Sequence, residues 1–261
     1  MVKLTLYFIS LGLSDEKDIS LKAVETAKKC DLLFVEFYTQ KMNTTKEKIE
    51  KVIGKKIREL TRQEVEENSD IILKPAKVKK VGFLVGGDAF CATTHLALKH
   101  EAMKRKIKTA VIHGSSIFSA VGETGLHMYK FGTTITVPFL EKLRGKLPIS
   151  AYERLKDNRE RGLHTLLLFD IVAEEDRCMT ANEAMKILLD IEEKRKENVF
   201  TEHTNVIVFA RAGSETAKIT YGSVGELIKR DFGKPPMCMI VPGVLHFTER
   251  EYLEMFRNGK N

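Results

Sequence analysis

The chain has 261 residues, of which 43% are hydrophobic and 30% charged, with a formal net charge of +7. That length allows one large domain or two smaller domains with real cores, and four scattered cysteines without a CxxC pair argue against a zinc site or a disulfide framework. No window approaches the roughly 18 uncharged apolar residues of a membrane span, and no basic leader is seen, so a cytoplasmic protein without membrane contact is expected.

The first half of the sequence alternates strand-like and helix-like segments. Apolar runs bounded by small or polar residues predict strands at 4–13, 31–37, 57–60, Val81–Val85 and 109–113. Helical spacing and capping residues predict a helix after Asp18 or Ser20, and further helices at 45–54, at 62–68 and from about 94 to 106. This alternation predicts a mostly parallel sheet with right-handed crossovers.

The second half of the sequence does not show this regular alternation of strands and helices. A helix is predicted at 117–129, interrupted by Gly122 and Gly125, and we place the domain boundary just before it, giving an N-terminal domain 1–113 and a C-terminal domain 114–261. Strands are predicted at 133–139, 164–172, Asn205–Ala210, 218–221 and Met237–Val241, and helices at 181–196, 225–230 and 249–256. Because several strands follow one another without a full helix, a mixed sheet is expected in this half.

One stretch, residues 81–95, has the pattern of a ligand-binding turn. The buried strand Val81–Val85 stops at Gly86 and Gly87, and Asp88 and a small-polar segment follow before the next helix. In parallel sheets such turns lie at the carboxyl ends of strands, where ligands bind. We expect the glycines to let the backbone approach a bound molecule and Asp88 to offer it a charged acceptor, although Asp88 could instead be an ordinary helix cap.

Several chemistries are excluded by missing motifs. The sequence has no GxxxxGK[ST] phosphate loop, no GxGxxG at the first helix, no HExxH, no GxSxG and no kinase motif. His113 and His164 are expected to be structural, while His95, beside the glycine turn, is a better candidate for a functional role. What remains is a two-domain α/β protein suited to group transfer from an activated donor, and almost as well suited to simple binding.

A resemblance narrows these alternatives. The segments 6–19, 34–39, 87–95, 111–117, 125–132, 163–171, 210–214 and 240–243 run in order over nearly the whole chain. Together they resemble the diphthine synthases, the S-adenosylmethionine-dependent methyltransferases of diphthamide biosynthesis. The resemblance implies the tetrapyrrole-methylase type of α/β fold, with two domains and the cofactor in the inter-domain cleft. It also implies a homodimer.

The resemblance implies a reaction as well. The enzyme would methylate the amine of the aminocarboxypropyl-histidine on elongation factor two to give diphthine, with S-adenosyl-L-homocysteine as the other product. No metal and no direct nucleic-acid contact would be involved, and no residue stands out as a general base. The alternatives are a methylase of the same fold acting on a tetrapyrrole or ribosomal RNA, or a basic RNA-binding protein.

Cofactor contacts follow from the resemblance where its motifs align with this sequence. They are Leu13, Asp88, Cys91, Ser116, Ile117, Phe169, Ala212 and Met237. Two departures stand out: this chain has Ser10-Leu-Gly-Leu13 where the family reads Gly-Leu-Gly-Leu, and Gly87-Asp-Ala89 where it reads Gly-Asp-Pro. Loss of the proline removes a fixed backbone torsion, so a looser turn and weaker cofactor binding are expected.

The positive charge of the chain is concentrated. Residues 74–108 carry nine Lys and Arg side chains against only Asp88 and Glu101, and a second basic stretch runs over 41–62. Such a surface favours an acidic or nucleic-acid-bearing partner, although a solvated lysine-rich surface is at least as good an interpretation. In a methyltransferase of elongation factor two, it would face the protein substrate.

Overall fold

The computed structural model describes residues 5–257, which divide into two compact units at Ala120 and Val121. This division falls a few residues beyond the predicted boundary. The N-terminal unit contains strands and helices in strict alternation, except that α3 and α4 follow each other directly. Its elements are β1 (Leu6–Ser10), α1 (Leu21–Lys28), β2 (Leu32–Glu36), α2 (Lys46–Ile53), β3 (Arg58–Glu59), α3 (Arg62–Glu66), α4 (Asp70–Ala76), β4 (Val81–Val85), α5 (Leu96–Lys104), β5 (Thr109–Ile112) and α6 (Ile117–Ala120).

The strands of this unit form one all-parallel sheet in the order β3-β2-β4-β1-β5. Both faces of the sheet are covered, because neighbouring residues of a strand point to opposite faces. Phe8 and Phe83 pack into one apolar cluster, while Ile9 and Leu84 pack into the other. The continuous apolar runs that predicted buried parallel strands are explained by this arrangement, and the predicted parallel sheet is confirmed.

Polar side chains cap the first three helices of this unit, α1, α2 and α3, at their N-terminal ends. Ser20 accepts a hydrogen bond from the backbone N–H of Ala23 and so caps α1, and Thr45 caps α2 in the same way. Thr61 and Glu64 form a reciprocal capping box at α3. Helix α4 was not predicted, and its Pro75 lies inside the helix near its end.

The C-terminal unit is built on a mixed five-stranded sheet. Its elements are β6 (Ile135–Val137), α7 (Ile149–Glu160), β7 (Thr165–Phe169), β8 (Ile171–Val172), β9 (Arg177–Cys178), α8 (Ala181–Arg195), β10 (Asn205–Ala210), β11 (Lys218–Ser223), α9 (Val224–Leu227), β12 (Met237–Val241) and α10 (Phe247–Glu254). The sheet order is β11-β10-β12-β7-β6, in which only the β6–β7 pair is parallel, so the predicted mixed sheet is confirmed. A separate ribbon pairs β8 with β9.

Two predicted elements differ from the structure. The helix predicted at 117–129 ends as α6 at Ala120 and continues as 3-10 turns at Val121–Thr124 and Met128–Lys130. Gly125 has a φ of +77°, in the left-handed region, so a right-handed helix cannot continue through it. The Tyr252 ring lies where a side chain at this position would be, so the position also requires glycine. The strand predicted at 164–172 is divided at Asp170, whose carboxylate accepts the backbone N–H groups of Phe139 and Ile171.

The predicted first strand is shorter than expected. Of the residues 4–13, β1 comprises Leu6–Ser10, and Leu4 lies outside the described residues. The termini of both predicted domains, at residues 1 and 261, also lie outside them. Within residues 5–257, no helix combines the length and the apolar character that are needed to cross a membrane.

Candidate functional site

The turn after β4 is fixed to the turn after β1 by backbone hydrogen bonds. Gly12 and Gly87 exchange a reciprocal pair, with the Gly87 N–H at 2.8 Å from the Gly12 carbonyl and the Gly12 N–H at 3.2 Å from the Gly87 carbonyl. The N–H of Leu11 donates to the carbonyl of Val85 at 2.8 Å. Because β1 and β4 are adjacent parallel strands, these contacts hold both turns at the carboxyl edge of the sheet, where α/β proteins bind ligands.

Asp88, in the turn after β4, is hydrogen-bonded to the residues that follow β5. Its Oδ2 accepts hydrogen bonds from His113 Nδ1 at 2.8 Å and from the Gly114 N–H at 3.2 Å, and its Oδ1 accepts from the Phe90 N–H at 3.1 Å. Burial disfavours the charged carboxylate, but these donors outweigh burial and lower the pKa of Asp88. Asp88 is therefore an ionised side chain that organises two loops. It is not a helix cap, because the next helix, α5, begins only at Leu96 with His95 as its N-cap residue.

The glycines of the turn are explained by contacts within the chain. A side chain on Gly86 would meet Gln40 Cβ at 3.1 Å, and one on Gly87 would meet Gln40 Oε1 at 2.6 Å. The φ of Gly87 is +65°, which also favours glycine. The space that we expected a bound molecule to use on this side of the turn is thus occupied by Gln40, which the sequence pattern did not single out.

Four of the eight predicted cofactor contacts lie on loops at this edge of the N-terminal unit, and a fifth begins the helix α6. Leu13 directly follows Gly12, and the Cys91 N–H donates to the Asp88 carbonyl at 3.1 Å. The Cys91 thiol interacts with the buried Ser116 side chain and with the Asp88 carboxylate, and burial raises the pKa of that thiol. Ile117 is the first residue of α6. The structure therefore brings Leu13, Asp88, Cys91, Ser116 and Ile117 to one edge of the parallel sheet.

The other three predicted contacts lie at one edge of the mixed sheet of the C-terminal unit. Met237 pairs with Ala210, and Ala212 follows two residues later in the turn after β10. Leu167 of β7 pairs with Met239 of β12 in antiparallel strands. Phe169 follows Leu167 by two residues and Met237 precedes Met239 by two, so both lie at the same end of this strand pair. The Phe169 and Met237 side chains both pack against the apolar core of this unit, and Met237 Sδ accepts the Ala181 N–H at 3.3 Å.

The turn that carries Ala212 is held by the Arg211 guanidinium. Nη1 donates to the carbonyls of Phe232 and Lys234, each at 2.8 Å, and Nε donates to the Thr216 carbonyl at 3.0 Å. The φ of Arg211 is +53° and that of Gly213 is +80°, so the backbone on both sides of Ala212 is in the left-handed region. The sequence pattern singled out the segment but not the arginine as the residue that shapes it.

Two further clusters of titratable groups are buried. Glu36 contacts His95 at 3.0 Å in the N-terminal unit, which shows that His95 has a defined polar partner. In the C-terminal unit, Glu249 accepts hydrogen bonds from His164 Nε2 at 2.9 Å and from the His127 N–H at 2.7 Å, and it pairs with Lys130. The prediction that His164 is structural agrees with these contacts. Among residues 5–257, no group of three or more His, Cys, Asp or Glu side chains is arranged to hold a metal ion.

Comparisons with known proteins identify the family. Residues 5–228 match the family of tetrapyrrole (corrin/porphyrin) methylases. The chain is 47% identical over 252 residues to the diphthine synthase of Methanocaldococcus jannaschii, covering 95% of this chain and 97% of the relative. It is 46% identical over 245 residues to the diphthine synthase of Methanococcus aeolicus, covering 94% and 95% of the two chains.

Solved structures give the same result. A crystal structure of diphthine synthase superposes with a TM-score of 0.88 at 38% identity and covers 97% of this chain and 96% of the other. A solved chain from Entamoeba histolytica aligns with a TM-score of 0.88 at 39% identity, covering 97% and 98%. The fold, the order of the motifs and these likenesses extend over nearly the whole sequence. The chain therefore belongs to the tetrapyrrole methylase family and, within it, to the diphthine synthases.

Proposed function

We propose that this chain is an S-adenosylmethionine-dependent N-methyltransferase of diphthamide biosynthesis. Its substrate is the amine of the aminocarboxypropyl-histidine on elongation factor two, and its products are diphthine and S-adenosyl-L-homocysteine. The observation that carries this proposal is the 47% identity to a diphthine synthase over 95% of the chain. The relatives bear that name rather than the name of a tetrapyrrole or ribosomal RNA methylase, which favours this function over the alternatives.

The residues present fit the proposed cofactor. A carboxylate accepts roughly four hydrogen bonds in total. Asp88 accepts three strong ones from within the chain, only one of them at Oδ1, and its remaining partner is the Cys91 thiol, a weak donor that a stronger donor would displace. A ribose hydroxyl or an amino group of the cofactor is a donor of the required kind. Leu13, Cys91, Ser116, Ile117, Phe169, Ala212 and Met237 would supply the remaining contacts, many of them through backbone groups.

The protein itself has little to contribute to bond making and bond breaking, because the methyl donor is already activated. When bound, S-adenosylmethionine supplies a methyl group on a sulfonium, which is already activated for transfer to a neutral amine. The chain would align the amine with that methyl group, and alignment of this kind accounts for a large part of many rate enhancements. Solvent can take the proton that the amine loses, so we assign no residue as a general base.

The partner is a protein, and the charge of the N-terminal unit suits it. The lysines on and after α4 and α5 are mostly exposed: Lys74, Lys77, Lys79, Lys104, Lys106 and Lys108. A basic surface attracts an acidic partner over distances of about 10 Å at moderate salt. Most of these lysines precede β4 or β5 and so lie at the amino edge of the parallel sheet, opposite the carboxyl edge that carries the candidate site, so they would meet a part of elongation factor two away from the reacting side chain. We propose that the enzyme works in the cytoplasm and that it works as a homodimer.

An acceptor panel tests the proposal. The protein is incubated with labelled S-adenosylmethionine and, separately, elongation factor two carrying the aminocarboxypropyl-histidine, a porphyrin precursor, and ribosomal RNA. Label on the factor alone is expected. Label on the RNA or the porphyrin, with none on the factor, would refute the proposal. An RNA-binding protein without activity would instead show an affinity for RNA that falls steeply as salt rises.

A further inference from the structure

Glu36, the last residue of β2, has a fully buried carboxylate whose oxygens are both occupied by donors of the chain. Oε2 accepts the backbone N–H groups of Tyr38 at 2.8 Å and of Thr39 at 3.0 Å. Oε1 accepts the Thr39 hydroxyl and lies 3.0 Å from His95 Nε2. A buried carboxylate with this many donors fixes the path of the backbone that supplies them. Glu36 therefore determines how the loop after β2 begins.

His95 donates a hydrogen bond to this carboxylate. Its side chain is fully buried, with the Phe83 ring at 5.0 Å and the Tyr38 ring at 5.9 Å, both nearly perpendicular to the imidazole. Its Nδ1 has no hydrogen-bond partner among the described residues, so Nε2 makes the one polar contact of the ring. Since Oε1 is an acceptor, Nε2 carries the proton. His95 thus links the start of α5 to the end of β2 through Glu36.

The loop that Glu36 fixes places Gln40 on the two turns of the candidate site. Gln40 Nε2 donates to the Leu13 carbonyl at 2.6 Å. The same side chain occupies the space beside Gly86 and Gly87, where any Cβ would meet it. A continuous path of contacts therefore runs from His95 through Glu36 and the 38–39 backbone to Gln40, and from there to Leu13.

We propose that Gln40 is a positioning residue for the methyl-donor site and that the buried Glu36–His95 pair holds it in place. This inference rests on the proposed function, because Leu13 and Asp88 are donor contacts only if the chain binds S-adenosylmethionine. A carbonyl oxygen has two lone pairs, and Gln40 uses one of them at Leu13. Gln40 thereby fixes the direction of the Leu13 peptide group and the position of the glycine turn that carries Asp88, without being a catalytic residue.

Calorimetry with S-adenosyl-L-homocysteine tests the inference on three single variants of the full chain. Gln40→Ala removes the hydrogen bond to Leu13 and should raise Kd about tenfold, the size expected for one hydrogen bond of this kind, with little change in Tm. Glu36→Gln presents an N–H₂ group to donors, so it should raise Kd and also lower Tm. Glu192→Gln is the matched control, because Glu192 is a buried carboxylate that accepts three backbone N–H groups in the C-terminal unit. It should lower Tm and leave Kd unchanged.

A double variant and a kinetic measurement separate positioning from general damage. If Glu36 acts through Gln40, Glu36→Gln with Gln40→Ala should raise Kd by less than the product of the two single effects. Gln40→Ala should raise KM for the donor and leave kcat at saturating donor unchanged. Should Glu36→Gln fail to fold, Thr39→Val removes one donor to Glu36 and should give a smaller rise in Kd.

The calorimetry separates a failure of this inference from a failure of the proposed function. A wild-type chain that does not bind S-adenosyl-L-homocysteine would overturn the proposed function and this inference with it. Wild-type binding that Gln40→Ala leaves unchanged would overturn the inference alone. Multiplicative effects in the double variant would contradict the link between Glu36 and Gln40, and so would a rise in Kd for Glu192→Gln equal to that for Glu36→Gln.

Discussion

The Ser10 hydroxyl oxygen accepts a hydrogen bond from the Ala89 backbone N–H at 3.0 Å, and both residues are buried. These are the two positions at which the resemblance described above leads us to expect glycine and proline, respectively. A proline has no N–H to donate and a glycine has no hydroxyl to accept. The hydrogen bond therefore requires both departures. We expected a looser turn without the proline, and this hydrogen bond is a different means of holding it.

Substitutions at the two positions should be coupled. Ser10→Ala leaves a buried N–H without a partner and should lower the free energy of unfolding by roughly 1–3 kcal/mol. Ala89→Pro leaves the Ser10 hydroxyl without its donor. In the double variant neither orphaned group exists, so its loss of stability, measured by urea denaturation, should be smaller than the sum of the single losses. Additive losses would show that the two residues act independently.

Gly12 should be far less replaceable than a glycine of similar backbone conformation elsewhere. Its φ is +88°, and a Cβ on it would lie 2.5 Å from Asp18 Cβ. Gly54, at the end of α2, has a φ of +75° with nothing within 4 Å of its Cβ position. Gly54→Ala should cost about 1–2 kcal/mol from the backbone alone. Gly12→Ala should cost distinctly more and weaken donor binding, and equal melting temperatures for the two variants would contradict the close approach at Gly12.

How much of the fold could be predicted from the sequence depends on whether the pattern that specifies each element is local in the chain. Strands β4, β10 and β12 were predicted at their observed bounds because each is a mostly apolar run bounded by polar, glycine or proline residues. Helix α7, by contrast, was missed. Its buried face includes Asn158 beside Ala151, Tyr152 and Leu155, so its apolar periodicity is weak.

The same reasoning applies to the candidate site. Asp88 was predicted because a glycine turn after a buried strand is a local pattern. Glu36 and Gln40 were not predicted, since Glu36 meets His95 across 59 residues and Gln40 meets Leu13 across 27. No spacing rule encodes contacts of that range. The resemblance did select the two segments that contain Glu36 and His95, and the structure shows the hydrogen bond between them.

Acid should destabilise the C-terminal unit through Glu249. Burial raises the pKa of this carboxyl, but donors from Lys130, His127, His246 and His164 outweigh burial and lower it to about 2. Because the folded pKa lies below the unfolded value of about 4.3, the carboxylate contributes stability that is fully present above that value and is lost as pH falls toward 2. The contribution is roughly 3 kcal/mol.

The measurement is the free energy of unfolding as a function of pH. Glu249→Gln should lower stability at pH 7 and flatten the decline below about pH 4.5. Burial also lowers the pKa of His164 in the folded state. As pH falls below about 6.5, the unfolded chain binds a proton at this histidine that the folded chain does not, so the free energy of unfolding decreases. This second decrease should persist in the variant. An unchanged decline below pH 4.5 would show that Glu249 is not its source.

Asp88 should be needed for donor binding beyond its part in holding the turn. Asp88→Ala should raise Kd for S-adenosyl-L-homocysteine at least tenfold, about 1.4 kcal/mol, because it removes the charged acceptor. His113→Ala is the control, since it removes an exposed ring and leaves Asp88 with its two backbone donors. It should change Kd less. Unchanged affinity in Asp88→Ala, measured by calorimetry, would remove Asp88 from the site.

The most direct test of the central claim is mass spectrometry of elongation factor two after incubation with this protein and S-adenosylmethionine. Two forms of the factor are compared, one carrying the aminocarboxypropyl-histidine and one with the unmodified histidine. We predict that the first form gains whole methyl groups on the amine of that side chain and that the second gains none. Absence of methyl groups on the first form, with folded protein that binds S-adenosyl-L-homocysteine and with donor present, would contradict the account.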